Sequence, residues 1–146
     1  MTTSTPSIDS SHDPAFYQIR LGCPADHAFV VDSWLQSDKS SDRAQTAGRV
    51  YFREQKKLIR LQLARPDSTL RIAHVSEDED AILGWALVQL PFVVQYVYVK
   101  KTARKLGIAR ALLADLLDRD VEYAYRPIFE TIQIPSSWIF NPYRSF

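Results

Sequence analysis

The run Val93 to Val99, VVQYVYV, constrains the fold more than any other segment of the chain. β-branched and aromatic residues fill almost every position, which is typical of a strand that is covered on both faces. Two strands precede it, Thr69 to Val75 and Ala81 to Leu90, and the acidic turn SEDED between them predicts an antiparallel hairpin. We therefore expect a sheet with helices packed on it.

The remaining periodic segments complete this arrangement. In chain order they predict a strand Tyr17 to Leu21, a helix capped by Asp26 and running through Leu35, a helix Asp42 to about Ala64, a helix Ala103 to about Arg119, and a strand Ile128 to Ile134. The predicted fold class is α/β (α+β), with a mixed, mostly antiparallel sheet flanked by helices.

The chain of 146 residues has the usual length of one domain. Residues 1 to 15 are rich in Ser, Thr, Asp and Pro and have little to bury, so they are predicted to form a mobile, disordered tail. Residues 16 to 146 are predicted to fold as a single domain.

Cysteine usage and overall charge exclude several classes of protein. Cys23 is the single cysteine, and no Cys/His pairs occur at zinc-ligand spacing, so we expect neither a disulfide nor a bound metal. The N-terminus carries no signal-peptide pattern, and no stretch has the roughly 18 apolar residues of a membrane span. A net charge of +1 argues against a uniformly basic nucleic-acid binder. The expected location is the cytoplasm.

The segment Arg104-Lys105-Leu106-Gly107-Ile108-Ala109 leads from the strand VVQYVYV into a helix. A helix start leaves backbone N–H groups unpaired, and small residues allow an anion to approach them, so this turn suits a phosphate or pyrophosphate. Positive charge surrounds it, from Lys100, Lys101, Lys105 and Arg110. Neither a Walker Lys-Ser/Thr pair nor a GxGxxG motif occurs, which excludes the common nucleotide-binding loops.

This segment resembles the signature of the GNAT (GCN5-related N-acetyltransferase) family: Arg or Gln, two residues, Gly, one residue, then Gly or Ala. The preceding β-rich strand, the following helix and the upstream order of elements are similar to the family as well. The resemblance extends over about residues 17 to 134. It implies an acyl-CoA cosubstrate, acetyl-CoA above all, with the CoA pyrophosphate held by the backbone amides from about Leu106 to Arg110.

The resemblance also implies how the acyl group is held. The strand ending Val97-Tyr98-Val99 would diverge from its neighbour and pair with the pantetheine arm. The acyl carbonyl would then lie against a backbone N–H near Val97 or Val99, where polarisation stabilises the oxyanion formed as an amine attacks. The family transfers the acyl group directly, without an acyl-enzyme.

The candidate general acid and general base both lie in the last part of the chain. Family members usually follow the strand corresponding to Ile128 to Ile134 with a helix and two strands, whereas twelve residues follow it here, so a shortened acceptor side is expected. Tyr143 is the candidate acid that protonates the CoA thiolate, and Glu130 is the candidate base, with a solvent-facing strand position as its alternative reading. The tail residues Trp138, Ile139, Phe140, Tyr143 and Phe146 are expected to be buried, on the sheet edge or in a homodimer.

Three functions follow from these features. The first is an N-acyltransferase that transfers an acetyl group from acetyl-CoA to an unidentified primary amine by direct attack. The second is a non-catalytic GNAT-like module that binds a partner. The third is a nucleic-acid-associated protein that uses a basic ridge, Arg49, Arg53, Lys56 and Arg60, which lies within roughly 60° of the helical wheel. A solvated helix face is the alternative reading of that ridge.

Overall fold

The structure, a computed structural model, describes residues 16–38, 42–90, 92–124 and 135–145. Its strands are β1 (Tyr17–Leu21), β2 (Ser68–Val75), β3 (Asp78–Gln89), β4 (Val93–Val99), β5 (Glu122–Tyr123) and β6 (Ile139–Phe140). Its helices are α1 (His27–Asp38), α2 (Asp42–Ala47), α3 (Arg49–Ala64) and α4 (Ile108–Leu112). The tail predicted for residues 1 to 15 and the strand predicted for Ile128 to Ile134 lie outside the described residues.

The six strands form one sheet, in which they follow one another in chain order. β1, β2, β3 and β4 pair antiparallel, whereas β4 with β5 and β5 with β6 pair parallel. A parallel neighbour requires a crossover, and the segment that contains α4 supplies it between β4 and β5. The predicted mixed, mostly antiparallel sheet flanked by helices is confirmed.

Two hydrophobic cores lie on opposite faces of this sheet. Helices α1 and α3 cover one face, where the buried side chains include Val30, Trp34, Ile59, Ile72, Trp85 and Tyr96. Helix α4 covers the other face, where they include Ala73, Ala86, Val97, Val99, Ile108 and Leu112. Side chains of β4 alternate between the two cores, so this strand is covered on both faces, as the run VVQYVYV predicts.

An aromatic cluster fixes α1 against the middle of the sheet. The rings of Trp34 and Tyr96 stack with centroids 4.6 Å apart and planes 15° apart, and Trp85 lies 5.6 Å from Trp34. The Trp85 Nε1 group donates a hydrogen bond of 2.8 Å to Ser33 Oγ, which satisfies a donor that has no access to water. The cluster therefore ties α1 to β3 and β4 with both packing and a hydrogen bond.

The helix predicted from Asp42 to about Ala64 is interrupted at Gly48. This residue has φ +56°, in the left-handed region, and it separates α2 from α3. Glycine adopts such a conformation without steric cost, and a right-handed helix cannot continue through it. The helical periodicity on either side is unaffected, so the pattern alone does not reveal the break.

The helix predicted from Ala103 to about Arg119 contains only one short α-helix, α4, followed by a 3₁₀ turn at Ala114–Leu116. A side chain of β2 contributes to this early end, because Arg71 Nη1 donates to the carbonyl oxygen of Leu112 at 2.9 Å. The same guanidinium binds both carboxylate oxygens of Asp115, at 2.6 and 3.0 Å, and lowers the pKa of that carboxyl. Arg71 thus holds the end of α4 on the sheet.

Asp26, predicted as a helix cap, stands just before α1 in a 3₁₀ turn, Pro24–Asp26. Its carboxylate accepts hydrogen bonds of 2.8 and 2.9 Å from the Arg20 guanidinium of β1 and one of 2.9 Å from the Cys23 backbone N–H. The hydrogen bonds from Arg20 lower the pKa of Asp26 from 3.8 to about 2. The carboxylate therefore joins the start of α1 to the edge of the sheet.

This pair makes stability depend on pH. A carboxyl whose pKa is lowered on folding stabilises the native state above about pH 4, and the contribution disappears as pH falls towards 2. We expect Asp26→Asn to lower the free energy of unfolding by about 2 kcal/mol at pH 7 and by much less at pH 2.5, measured by urea denaturation. Asp32→Asn, at an exposed position on α1, is the control and should leave the free energy of unfolding unchanged at both pH values. If Asp26→Asn lowered the free energy of unfolding by the same amount at both pH values, the result would contradict the role of the Asp26 carboxylate in the pH dependence.

Gly84 allows β3 and β4 to approach closely at the end of β4. A Cβ atom at this position would lie 2.6 Å from the Tyr98 carbonyl oxygen and 3.2 Å from the Val99 Cα atom. Both are backbone atoms that cannot move aside without shifting the strand. We expect Gly84→Ala to destabilise the protein by about 1 to 3 kcal/mol, measured by urea denaturation. Unchanged stability would show that β4 can shift freely.

Candidate functional site

The strand β4 contains a β-bulge. Leu87 of β3 pairs with Tyr96, and Val88 pairs with Val94, so Gln95 is an additional residue with no partner on β3. Bulges are frequent next to active sites, where they redirect the backbone. Gln95 is only 1% exposed, although its side chain is polar.

Beyond the bulge, one edge of β4 faces away from β3. Parallel pairing with β5 involves Val93 and Val94, and the last hydrogen bond between the two strands in the described residues runs from Ala124 N–H to the Val94 carbonyl at 3.1 Å. The Lys100 N–H donates to Leu83 of β3 at 2.8 Å. Because main-chain groups alternate in direction along a strand, those of Val97 and Val99 point to the opposite edge.

The loop after β4 contains two residues with left-handed backbone. Lys105 has φ +67° and Gly107 has φ +85°, and Lys105 is the one non-glycine residue with positive φ in the described parts of the chain. A side chain in this region costs about 1 to 2 kcal/mol, and such strain concentrates at functional sites. A Cβ atom on Gly107 would meet nothing within 4 Å, so open space adjoins the loop.

Successive N–H groups of this loop are unpaired. From Lys105 to Arg110, none donates a hydrogen bond within residues 16–38, 42–90, 92–124 and 135–145. Consecutive free N–H groups beside left-handed residues form a concave cradle that binds anions. The loop coincides with Arg104 to Ala109, the segment for which the sequence predicts a pyrophosphate site, and binding there stays a prediction.

Exposed cations surround the cradle: Lys100, Lys101, Lys105 and Arg110. Arg104 has a different position, because its Nε group donates to the Val99 carbonyl at 3.0 Å and ties the loop to the end of β4. Ile108 and Ala109 are buried with Val97 and Val99, so their side chains form the floor of the loop. Leu106 is 53% exposed, and Tyr98 is half-buried on the opposite face, where its ring meets Phe29 at 6.2 Å.

The C-terminal turn Pro142–Ser145 lies against the bulge. The Gln95 Nε2 group donates to the Arg144 carbonyl at 2.8 Å, and the Arg144 Nε group donates to Glu122 Oε1 of β5 at 2.6 Å. The second bond is the main reason why the pKa of Glu122 is lowered. The sequence analysis did not single out Gln95. Its amide side chain within an otherwise apolar and aromatic strand is the feature that could have marked it.

Among the catalytic candidates, Tyr143 belongs to this turn and its side chain is 83% exposed. Glu130 lies outside the described residues. Of the tail residues expected to be buried on the sheet edge or in a homodimer, Trp138 is buried within the single chain, at 5% exposed, whereas Ile139 is 62% exposed. Burial of Ile139 and Tyr143 in a homodimer stays a prediction. Phe146 also lies outside the described residues.

No group of three His, Cys, Asp or Glu side chains that could hold a metal ion is present among the residues with described positions. The described helices are all too short or too polar to cross a membrane.

No protein-family model matches the chain, and no curated protein matches it. Solved structures do match. A possible acetyltransferase from Clostridium difficile 630 is 15% identical with a TM-score of 0.55, over 86% of this chain and 79% of its own. A structure of histone acetyltransferase HPA2 and related acetyltransferase from Corynebacterium glutamicum is 18% identical with a TM-score of 0.52, over 68% and 69%.

A third match is a GCN5-related glucosamine N-acetyltransferase region in a fungal multi-domain GH3 β-N-acetylglucosaminidase. It is 18% identical with a TM-score of 0.51 and covers 68% of this chain and 12% of the fungal chain. At these identities the likeness concerns the fold. The chain has the fold of the GCN5-related N-acetyltransferases, the GNAT fold.

Proposed function

We propose that this protein transfers an acetyl group from acetyl-CoA to a primary amine. The observation that carries the proposal is the cradle of unpaired N–H groups from Lys105 to Arg110, which follows the end of β4, where the main-chain groups of Val97 and Val99 point away from β3. Within a GNAT fold, the combination of these N–H groups with strand main-chain groups that point away from β3 suits a cosubstrate with a pyrophosphate and an extended amide-containing arm.

The pyrophosphate would be bound by the N–H groups of Leu106 to Arg110. Lys100, Lys101, Lys105 and Arg110 would add long-range attraction for a polyanion from exposed positions. Arg104 would act by holding the loop on Val99 rather than by contacting phosphate. The geometry of the loop without ligand supports these separate roles, because its N–H groups are already unpaired and the left-handed residues set their direction.

The pantetheine arm would pair with β4 as an additional strand. Its amides can exchange hydrogen bonds with the Val97 main-chain groups and with the Val99 N–H, which point away from β3, while the Val99 carbonyl accepts from Arg104. The thioester carbonyl would then accept a hydrogen bond from the N–H of Val97 or Val99, which stabilises negative charge on oxygen during attack. The neighbouring bulge at Gln95 supports this, because it changes which main-chain groups of β4 point away from β3.

In the reaction, the neutral amine attacks the thioester carbonyl carbon, a C–N bond forms, and the C–S bond breaks. The amine nitrogen loses its proton to water or to Glu130, and the CoA thiolate gains one from the Tyr143 hydroxyl. The hydrogen bond from Gln95 to the Arg144 carbonyl supports this role, since it holds the backbone of the turn that bears Tyr143 against β4. No covalent acyl-enzyme is needed.

Binding of acetyl-CoA should raise the melting temperature. At a hundredfold excess over its dissociation constant, a ligand stabilises the native state by about 2.7 kcal/mol, which corresponds to roughly 5 to 10 °C for this chain length. We expect Gly107→Glu to abolish the shift, because a carboxylate would then occupy the pyrophosphate cradle. Thermal denaturation followed with and without acetyl-CoA measures both values.

Gly48→Glu is the matched control for this experiment. Gly48, like Gly107, has positive φ and open space around it, so both variants add the same charge at a position that favours glycine. The strain is the greater at Gly48, whose ψ of −124° lies outside the left-handed helical region that Gly107 adopts with ψ 6°. The control should keep the full acetyl-CoA shift. Loss of the shift in both variants, or no shift in the wild type, would contradict the proposed cosubstrate site.

Turnover tests the proton donor separately. We expect Tyr143→Phe to lower kcat by about 10² or more while the acetyl-CoA shift stays unchanged, because a general acid acts in the chemical step. Release of the CoA thiol with a panel of primary amines provides the measurement, and Tyr17→Phe on β1 is the control. Full activity of Tyr143→Phe would remove this assignment. Acetyl-CoA binding without turnover on any amine would favour the non-catalytic module.

A further inference from the structure

A basic ridge runs along α3, formed by Arg49, Arg53, Lys56 and Arg60. All four residues are exposed. On an α-helix they stand at positions i, i+4, i+7 and i+11, which places them in one row about 16 Å long. The opposite face of α3 is packed against the rest of the protein through its buried residues Tyr51, Gln55, Ile59 and Gln62. The ridge therefore points away from the sheet.

The ridge is poorly neutralised. The side chains of Arg49, Lys56 and Arg60 make no ion pair or hydrogen bond with any residue whose position is described. Arg53 shares the carboxylate of Glu54 with Lys57, and both cationic side chains are about two-thirds exposed. α3 holds five Lys/Arg against one Glu, a net charge of +4, whereas the whole chain carries +1. The rest of the protein is thus net acidic.

This charge pattern works against the stability of the helix. Like charges three and four residues apart repel, and each neighbouring pair along the ridge is of that kind. Arg49 also stands in the first turn, which contains no acidic residue, and a cation there opposes the helix dipole. Helix stability therefore does not account for the ridge, and a bound polyanion would relieve both effects.

We propose that the ridge binds the phosphodiester backbone of a nucleic acid. Three of its four side chains are arginines, whose planar guanidinium groups bind phosphate oxygens with two parallel hydrogen bonds. Their spacing of about 4.5 to 6 Å along the axis allows contact with successive phosphates. The ridge offers cations rather than a groove for bases, so recognition is independent of sequence. This property goes beyond the transferase activity proposed above.

Salt dependence provides the test. Each phosphate contact on duplex DNA contributes about −0.9 to the slope of log K against log salt, so four contacts give a slope near −3.6. Fluorescence anisotropy with a labelled 20-base-pair DNA and a labelled 20-nucleotide RNA should show binding that weakens on the order of a hundredfold between 50 and 200 mM salt. Both nucleic acids should bind, since the backbone is recognised.

Variants assign the binding to the ridge. Lys56→Gln should reduce the magnitude of the slope by about 0.9, and Lys56→Gln with Arg60→Gln by about twice that. Arg119→Gln is the control, because Arg119 is exposed beyond α4 on the other face of the sheet and loses the same charge. The ridge variants should melt at the same or a higher temperature than the wild type and keep the acetyl-CoA shift.

Three results would overturn the proposal. One is the absence of binding to either nucleic acid at 50 mM salt. Another is an equal change of slope in Arg119→Gln and Lys56→Gln, which would indicate general attraction. The third is binding to phosphatidylserine vesicles without binding to either nucleic acid, which would identify the ridge as a membrane surface.

Discussion

The close pairing of β3 with β4 is the constraint on which the rest of the structure depends. β4 is buried on both faces, and Gly84 lets its last residues approach β3 to a distance that a Cβ atom would prevent. The position of the β4 end then determines where the loop begins. Arg104 binds the last carbonyl of that strand, and the left-handed residues Lys105 and Gly107 follow from there. The position of the loop therefore depends on how β4 packs against β3.

Much of this fold was predictable from the sequence because periodicity and turn residues carry local information. The strands around Val75 and Val99 agree closely with their predicted bounds, since strands buried on two faces leave a dense apolar pattern. The ends of the helices were less predictable. The break at Gly48 depends on a backbone angle, and the end of α4 involves Arg71, which lies 41 residues earlier in the chain. A tertiary contact of that kind leaves no local pattern.

The candidate site shows the same division. The unpaired backbone N–H groups of the loop were predictable, because a glycine between a strand and a helix indicates a helix start, where such groups occur. The strained backbone at Lys105 was not, because lysine has no preference for the left-handed region. The bulge at Gln95 depends on the register with Leu87 and Val88, which only the paired strands reveal. Side chains that act on protons are the hardest to predict, because single Tyr or Glu residues occur throughout any chain.

The aromatic cluster beside β4 has a consequence for spectroscopy. Two of the three tryptophans, Trp34 and Trp85, lie together with Tyr96 and Tyr98, at ring separations of 4.6 to 6.2 Å. Rings held this closely in a fixed chiral arrangement couple their electronic transitions, and excitation absorbed by tyrosine passes to tryptophan. The near-ultraviolet circular dichroism and the intrinsic fluorescence of the protein therefore originate largely from one place. Because Tyr96 and Tyr98 belong to β4, the strand that leads into the cradle, these signals report on the conformation of β4.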